Sequence, residues 1–578
     1  MKSKKWLKKT VMGLVCGGAL LGLAACGSSN ESSNESSSDT SETLTIDVYN
    51  SVANYMGIQG GWFGELVKDK FNIELNIIAP NVAGNGDTLY QTRTAAGDLG
   101  DLIIINNGKE YNELVQGGLL YESSELYESM ENLKQYDGAV QFLNEGQDGI
   151  YGFPTEVSNS SPDTSSEGLD LNVGAYLRWD LYKEVGYPEM NTLEDLLPIL
   201  QQMQEAKGTT EDGKRVYSFS LFSDWDGDSM SNAVQLAQMY GYNTVGYALA
   251  RADGSDIQGL LDDDSEYIRA LKFYYEANQL GLVDPESTTQ NYDTLYSKFQ
   301  GGQVLYSWFP WLGQSAYNTT QNMDEGVGFM LAPIKDQKNY SDGAKVNGGN
   351  LFIGIGSNAD DPQRISEFID WLYSPEGIMA NSSQTVGGSG PEGLTWEVGE
   401  DGAPVLTDFG KEALIDGDAD VPEEFGGGSY KDGGSALNFN SVLLIDENPN
   451  TGYPYNFNQW DYYAEATSNA LKEDWSAQMG GASSAIEFLQ ENDQIMVAPG
   501  ATFITPEDSS EISTLRSQIG STIKEFSWKM VFASNEEQFE QLKDEMQKTA
   551  IGLGYDDVLA VDIENAENQN KAREEIMK

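Results

Sequence analysis

The sequence predicts an α/β protein with at least two lobes. Its 578 residues exceed what one hydrophobic core usually supports. Near the N-terminus, strand-like and helix-like periodicities alternate in the order β-α-β-α-β, which is typical of a parallel sheet. Aromatic residues make up 11% and charged residues 22% of the chain, so the composition is that of a globular protein and not of a disordered one.

The first predicted strand begins at Leu44, where apolar and polar residues alternate. The later predicted elements are a helix over 63–71, a strand over 73–78, a polar helix over 87–96 and an apolar strand over 102–105. Ligands of parallel sheets bind beyond the carboxyl ends of the strands, which here carry Tyr49, Asn50, Asn106 and Asn107. Asparagine is also a common turn residue, so a binding role and a turn role both remain open.

Charge and composition exclude several classes of function. The formal charge is −57, so the surface repels nucleic acids, and we expect no nucleic-acid partner. The chain has no histidine, which rules out Ser-His-Asp and Cys-His catalysis and His-ligated zinc. Cys16 and Cys26 are the only cysteines, and both fall in the N-terminal segment. We therefore expect no disulfide, no metal site and no cofactor.

The N-terminal segment has the features of a lipoprotein leader. Residues 1–25 combine several lysines with a short apolar run, which is typical of a cleaved secretory signal. The small residues directly before Cys26 resemble a bacterial lipobox, which implies cleavage there and acylation of the Cys26 thiol. Residues 26–42 are rich in Ser, Asn and Glu and predict a flexible tether. We expect a protein held by lipid on the outer face of the cell membrane.

A helix end, a short strand and an aromatic cluster follow one another in residues 298–313. Val304 to Tyr306 have the β preference of a buried strand, and Pro310 stops it. Trp308 and Phe309 are expected in the core, whereas Trp311, held beyond the strand end, presents a flat face on which a sugar ring can stack. Burial of Trp311 in the core is the alternative.

Five stretches carry a resemblance to a known family. They are the lipobox, residues 100–120, residues 176–195, residues 299–311 and residues 352–377. In this order and spacing, the sequence resembles the family 1 extracellular solute-binding proteins of ABC importers, the maltodextrin-binding class, and in particular its long lipoprotein branch similar to alginate-binding proteins.

The resemblance implies a two-lobe periplasmic-binding-protein type II fold with a hinge and added C-terminal helices. On this basis the first lobe takes residues 43–172 and 347–395. The second lobe takes residues 173–346 and 396–510, and residues 511–578 form a C-terminal helical extension.

The resemblance also implies which residues bind the ligand. Trp225, Trp311 and Trp460 match positions at which the family stacks sugars, and Asn50 and Asn106 match polar positions of the first lobe. The long branch often carries a calcium loop near residues 209–214, but the sequence there is short of carboxylates.

We expect a monomeric binding protein, not an enzyme. It would capture a neutral oligosaccharide between the lobes and deliver it to an ABC permease. Two alternatives remain open. One is a surface glycoside hydrolase, which needs only a carboxylate pair and so survives the absence of histidine. The other is a glycan-adhesion lipoprotein without a permease, and a peptide or a sugar acid remains an alternative ligand.

Overall fold

The computed structural model describes residues 42–83, 86–382, 387–417 and 419–578. The predicted leader over 1–25, the acylation site Cys26 and the predicted tether up to residue 41 lie outside the described residues.

The strands carry the labels β1 to β18 in chain order. They are β1 Leu44–Asn50, β2 Gly57–Ile58, β3 Ile73–Ile78, β4 Leu102–Asn106, β5 Phe153–Pro154, β6 Tyr176–Arg178, β7 Tyr242–Val245, β8 Ala248–Arg251, β9 Ile257–Gly259, β10 Tyr306–Ser307, β11 Phe329–Leu331, β12 Asn339–Asp342, β13 Leu351–Ile355, β14 Trp396–Val398, β15 Pro404–Leu406, β16 Glu447–Asn448, β17 Tyr453–Pro454 and β18 Ile495–Ala498.

The helices carry the labels α1 to α22. They are α1 Gly61–Phe71, α2 Pro80–Ala83, α3 Gly86–Ala96, α4 Lys109–Gln116, α5 Ser124–Tyr127, α6 Asp137–Leu143, α7 Trp179–Glu184, α8 Leu196–Lys207, α9 Ser231–Gln238, α10 Glu266–Gln279, α11 Tyr292–Gln300, α12 Pro310–Tyr317, α13 Thr320–Asp324, α14 Pro362–Trp371, α15 Pro375–Asn381, α16 Asp408–Lys411, α17 Asp461–Ala466, α18 Ala470–Gln478, α19 Ala485–Glu491, α20 Ser510–Val531, α21 Glu536–Gly552 and α22 Tyr555–Ile576.

The first lobe is built on a sheet with the order β2-β3-β1-β4-β13-β5, as the N-terminal pattern predicts. β1 pairs in parallel with both β3 and β4, whereas β13 returns antiparallel to β4. β4 is apolar from Leu102 to Ile105 because both faces of the sheet are covered: Ile104 packs in one core and Ile103 and Ile105 in another. The strand order reverses between β1 and β4, and the crevice at such a point is the usual ligand site of an α/β sheet.

A second large core unites residues from Leu171 to Ile334 with residues from Leu471 to Val558. It contains the sheet β10-β6-β11, and the C-terminal helices α20, α21 and α22 pack into it. The predicted helical C-terminus is therefore confirmed, and it belongs to the second lobe.

The predicted lobe boundary at residue 395 is wrong. Residues from Trp396 to Trp460 lie in the core of the first lobe and not of the second. Tyr430 carries much of this attachment: its ring stacks on that of Trp62 with centroids 5.3 Å apart, and its carbonyl oxygen accepts the Trp62 indole N–H at 2.8 Å. The glycine-rich segment has no helical or strand periodicity, so its sequence does not indicate which core it joins.

Two chain segments that connect the two cores, near Pro162 and near Gly343, meet a third segment near Gly500, which lies between two helices of the second lobe. The amide of Gly343 donates to the carbonyl oxygen of Ala498 at 2.8 Å, and the amide of Gly500 donates to that of Pro162 at 2.8 Å. A Cβ atom on Gly343 would stand 2.0 Å from the carbonyl oxygen of Pro162. Only glycine permits this approach, so the crossing segments form one tightly packed hinge region.

Candidate functional site

Two exposed tryptophans lie together on the second lobe. Trp225 is 44% exposed and Trp311 is 36% exposed, and their ring centroids are 5.6 Å apart. Each indole rests on a further ring: Trp225 stacks on Tyr292 at 4.9 Å, and Trp311 stacks on Phe309 at 4.4 Å. Single exposed apolar side chains are common on protein surfaces, but clusters of them usually mark a binding site. These four residues are called the aromatic platform below.

Local sequence determines how Trp311 is presented. β10 ends at Ser307, and Pro310 occupies the first turn of α12, where its fixed φ and missing N–H are tolerated. The sequence predicted that Pro310 stops the strand, and the structure adds that it starts a helix. Trp311 therefore lies in the first turn of α12, exposed at the end of a buried strand. Trp308 and Phe309 are buried, as predicted.

Polar groups surround the edge of Trp311. Its indole Nε1 donates to Oδ1 of Asn172 at 3.0 Å. One helical turn further along α12, the side chain of Gln314 lies beside the carboxylate of Asp170 and favours its ionised form. Amide and carboxylate oxygens of this kind accept hydrogen bonds from hydroxyl groups. The arrangement thus places hydrogen-bonding groups beside a flat apolar surface.

Burial dominates the electrostatics of this polar edge. It raises the pKa of the Asp170 carboxyl to about 6, against the opposing effects of Lys472 and Gln314. Burial likewise lowers the pKa of Lys472, although Asp170 opposes this change. The Lys472 ammonium donates to Oγ1 of Thr467 at 2.8 Å and lies 5.6 Å from the centre of the Tyr463 ring. Tyr463 and Lys472 flank the junction between α17 and α18, where the chain passes from one core to the other.

Trp460 does not present a stacking face, and the structure corrects this prediction. The side chain is 1% exposed and lies in the first-lobe core, and its Nε1 donates to the carbonyl oxygen of Pro454 at 2.8 Å. Its ring meets Trp396 edge-on at 5.7 Å. Six aromatic residues between 453 and 463 fill a core here, which sequence alone does not distinguish from a binding surface.

Tyr49 and Asn50 are also structural. Tyr49 is 1% exposed and packs in a core on one face of the first-lobe sheet. Asn50 is completely buried: its Oδ1 accepts the backbone N–H groups of Val52 and Ala53, and its Nδ2 donates to the carbonyl oxygen of Leu437 at 2.7 Å. The turn role of asparagine applies here, and the predicted ligand contacts of these two side chains are wrong in this arrangement.

Asn106 and Asn107 differ in their roles: Asn107 makes structural hydrogen bonds, and Asn106 is accessible to a ligand. Asn106 is exposed at the carboxyl end of β4. Asn107 donates from Nδ2 to the carbonyl oxygen of Gly349 at 2.9 Å and from its backbone N–H to that of Asn350 at 2.8 Å. Asn107 thus fastens the segment that returns to the first lobe, whereas Asn106 keeps its side chain accessible.

Sequence reasoning missed several members of the site. Tyr292, Asp170, Gln314 and Lys472 come from four separate parts of the chain, and none belongs to a recognisable motif. Phe309 was expected in the core, where it does lie, but its ring also supports Trp311. A signal was available for Gln314 alone, because it stands three residues after Trp311 and so shares its helix face.

Within the described ranges, no group of three or more His, Cys, Asp or Glu side chains is arranged to hold a metal ion. In the 209–214 loop, the Lys214 ammonium lies 3.0 Å from a carboxylate oxygen of Asp212, and Thr210 donates to the same carboxylate. The part of the chain that the structure describes also contains no helix that is both long enough and apolar enough to cross a bilayer.

Solved structures of binding proteins share this fold. An HMO-binding, ABC-transporter-associated solute-binding protein from Bifidobacterium longum infantis has a TM-score of 0.57 and 12% identity, over 91% of this chain and 99% of that one. The FusA substrate-binding protein of S. pneumoniae in complex with kestose has a TM-score of 0.58 and 15% identity over the same shares. Alginate-binding protein AlgQ2 has a TM-score of 0.54 and 15% identity, over 93% and 99%.

At these identities the structural likeness shows the fold alone. No curated protein matches the sequence significantly. The sequence profile of the bacterial extracellular solute-binding proteins matches residues 56–379, which is more than half of the chain. Two lobes, a hinge of crossing segments and an aromatic platform beside polar groups agree with that match. The chain belongs to the family of bacterial extracellular solute-binding proteins.

Proposed function

We propose that this protein is the substrate-binding lipoprotein of an ABC importer and that it captures a neutral oligosaccharide between its two lobes. The observation that carries the proposal is the pair of exposed indoles, Trp225 and Trp311, 5.6 Å apart on one lobe. Apolar faces of sugar rings stack on such surfaces, while hydroxyl groups need hydrogen-bonding partners of the kind that Asn172, Asp170 and Gln314 provide.

The size of the platform favours more than one sugar residue. Trp225 and Trp311 are inclined by 42° and each rests on its own supporting ring. Two separate faces suit two successive rings of a bent chain better than one flat ring. FusA, which shares the fold, was solved with the oligosaccharide kestose, and this supports the same ligand class here.

The electrostatics favour a neutral ligand over an anionic one. The chain carries 91 acidic against 34 basic residues, and Asp170 lies at the edge of the platform. Arg178, at the end of β6, pairs with Asp180 at 2.6 Å, which neutralises it. An anionic sugar would therefore approach against the field of the protein, whereas a neutral sugar is unaffected by it.

Delivery to a permease requires the protein to bind its ligand reversibly, through motion of the lobes about the hinge. In this motion the crossing segments near Pro162 and Gly343 would keep their close contact with each other and with the segment near Gly500. Asn106, exposed on the first lobe, is the polar group proposed to meet the sugar on closure. Anchoring at the outer membrane face through acylated Cys26, after removal of residues 1–25, rests on the lipobox-like sequence.

Binding without hydrolysis is part of the proposal. A glycosidase needs a pair of available carboxyl groups. Glu167 is the nearest partner for Asp170 in the sequence, but it accepts the backbone N–H of Asn172 and the hydroxyl of Ser341, both at 2.7 Å. With these bonds in place, Glu167 is occupied as a structural acceptor.

Calorimetric titration of the mature protein tests the proposal. The panel comprises kestose, raffinose, maltotetraose, mannopentaose and, as an anionic comparison, an alginate tetrasaccharide. We expect binding of at least one neutral member and a much weaker response to alginate. Absence of binding to every member, or shortened products after prolonged incubation, would overturn the proposal.

A pull-down experiment tests the anchoring. We expect the membrane-anchored protein to capture a permease subunit, and we expect the Cys26→Ala variant to lose this capture.

A further inference from the structure

The loop that carries Trp225 rests on the first C-terminal helix. We propose that α20 positions the Trp225 face through Trp528 and Gly520, so that the C-terminal extension takes part in ligand binding. The inference rests on the proposed function, because it requires that Trp225 contacts the ligand. Trp528 and Gly520 lie far from the platform residues in the sequence.

A hydrogen bond ties the loop to α20. The indole Nε1 of Trp528 donates to Oδ2 of Asp226 at 2.7 Å, next to Trp225 in the chain. The other oxygen of the same carboxylate accepts the backbone N–H of Ser231 at 2.8 Å, at the start of α9. Asp226 thus joins its own loop, α9 and α20. A hydrogen bond to an ionised, half-buried acceptor is among the stronger ones in proteins.

Close contact between the loop and α20 depends on a glycine. A Cβ atom on Gly520 would stand 3.1 Å from Cα of Asp228 and 2.9 Å from its Oδ1. Glycine inside a helix lowers the stability of that helix, so its presence in the middle of α20 calls for a reason. Here it allows the backbone of the loop to lie directly on the helix.

A second link lies one residue before Trp528. The hydroxyl groups of Ser527 and Tyr267 are 2.8 Å apart, and the Tyr267 hydroxyl accepts the backbone N–H of Met230 at 3.0 Å. Both ends of the stretch from Asp226 to Met230 are therefore connected to the last two turns of α20.

The opposite side of the loop is held by the platform itself. Oδ2 of Asp224 accepts the backbone N–H of Tyr292 at 2.9 Å, and the Tyr292 ring supports Trp225. Because Trp225 is exposed, burial does not fix its orientation. Asp224 and Asp226, the residues on either side of it, do so by their bonds to α11 and α20.

The test compares two Trp→Phe variants that each lose one indole-to-carboxylate hydrogen bond. Trp528→Phe loses the bond to Asp226. Trp371→Phe, the control, loses the bond to Glu376 at 3.0 Å in the first lobe, away from the platform. Hydrogen exchange without ligand is measured first. We expect faster exchange of the amides of residues 224–230 in Trp528→Phe and in Gly520→Ala, and no change there in the control.

Affinity is measured with the panel sugar of lowest Kd. We expect Trp528→Phe to weaken binding about tenfold, the change that loss of one charge-assisted hydrogen bond gives. The control variant, Trp371→Phe, should have the wild-type Kd, although its loss of thermal stability should be similar to that of Trp528→Phe. In a Trp225→Ala background, Trp528→Phe should have no further effect on the Kd, because it acts through Trp225.

The outcomes separate the two proposals. If Trp225→Ala weakens binding and Trp528→Phe changes neither the Kd nor the exchange of residues 224–230, the positioning role of α20 is overturned alone. If Trp225→Ala leaves the Kd unchanged, the platform itself is wrong, and the role of α20 in ligand binding falls with it. A full Trp528→Phe effect in the Trp225→Ala background would also overturn the inference.

Discussion

The indole N–H of Trp311 donates to the side-chain oxygen of Asn172 at 3.0 Å, which joins the first turn of α12 to the segment entering the second lobe. This bond fixes the rotation of an exposed ring that otherwise contacts the rings of Phe309, Trp225 and Tyr292. A tryptophan oriented in this way and 36% exposed keeps part of its apolar surface available to a ligand.

Replacement of Trp311 by alanine should abolish most ligand affinity with little effect on stability. Loss of a central aromatic contact typically costs about 2 kcal/mol or more in binding, which is about 30-fold in Kd. The side chain is 36% exposed, so unfolding should be little affected. Calorimetric titration and urea unfolding of Trp311→Ala measure both quantities. An unchanged Kd for the best neutral sugar would contradict the platform.

Replacement of Trp460 by phenylalanine should have the converse effect. The ring is buried, so loss of its bond to Pro454 and of part of its volume should destabilise the first lobe by about 1–3 kcal/mol. The Kd for the sugar should stay within about twofold of wild type, a change worth less than 0.5 kcal/mol. The same titration and urea unfolding serve as the check. A selective loss of affinity at unchanged stability would restore Trp460 as a ligand contact.

Asp170 should make stability depend on pH in the mildly acidic range. Its pKa is raised in the folded protein to about 6 from an ordinary value of 3.8, so between these values the native state binds more protons than the unfolded state. The free energy of unfolding should therefore fall as pH rises from about 4 to about 6 and then level off. The Asp170→Asn variant lacks this pH dependence. Its free energy of unfolding should therefore rise relative to that of the wild type as pH increases from about 4 to about 6.

Urea unfolding of both proteins at pH 4.5, 5.5 and 6.5 measures the effect. Lys472, whose pKa is lowered by burial, is present in both proteins. The difference between the two proteins therefore reports Asp170. A stability difference that is constant with pH would contradict the raised pKa of this carboxyl.

Replacement of Gly343 by alanine should disrupt the hinge. The new Cβ atom would lie 2.0 Å from the carbonyl oxygen of Pro162, so the crossing segments must separate. Overpacking of this kind costs about 1–3 kcal/mol or more. Gly138→Ala is the matched control, because a Cβ atom there meets nothing within 4 Å. Chemical denaturation compares the two variants, and equal stability would show that the crossing is looser than the structure indicates.

The strands and helix starts that have strong local sequence patterns were predicted correctly. The alternation beginning at Leu44 and the apolar run at 102–105 form β1 and β4, and Thr192 and Asp195 form a capping box before α8. The exposed position of Trp311 was also predictable, because Pro310 interrupts a buried strand immediately before it. In each case the information lies within a few neighbouring residues, whose periodicity and backbone preferences decide the local structure.

Sequence by itself determined the α/β class, the first-lobe sheet, the exclusion of histidine chemistry and the presentation of Trp311. Only the tertiary structure decided that Trp460 and Asn50 are internal and that residues 396–460 join the first lobe. It also decided that Tyr292 belongs to the platform and that Asp170 lies at its edge. The physical reason is that burial depends on which distant segments pack together. An indole has the same chemistry in a core and at a surface, so its neighbours in space, and not in sequence, decide its role.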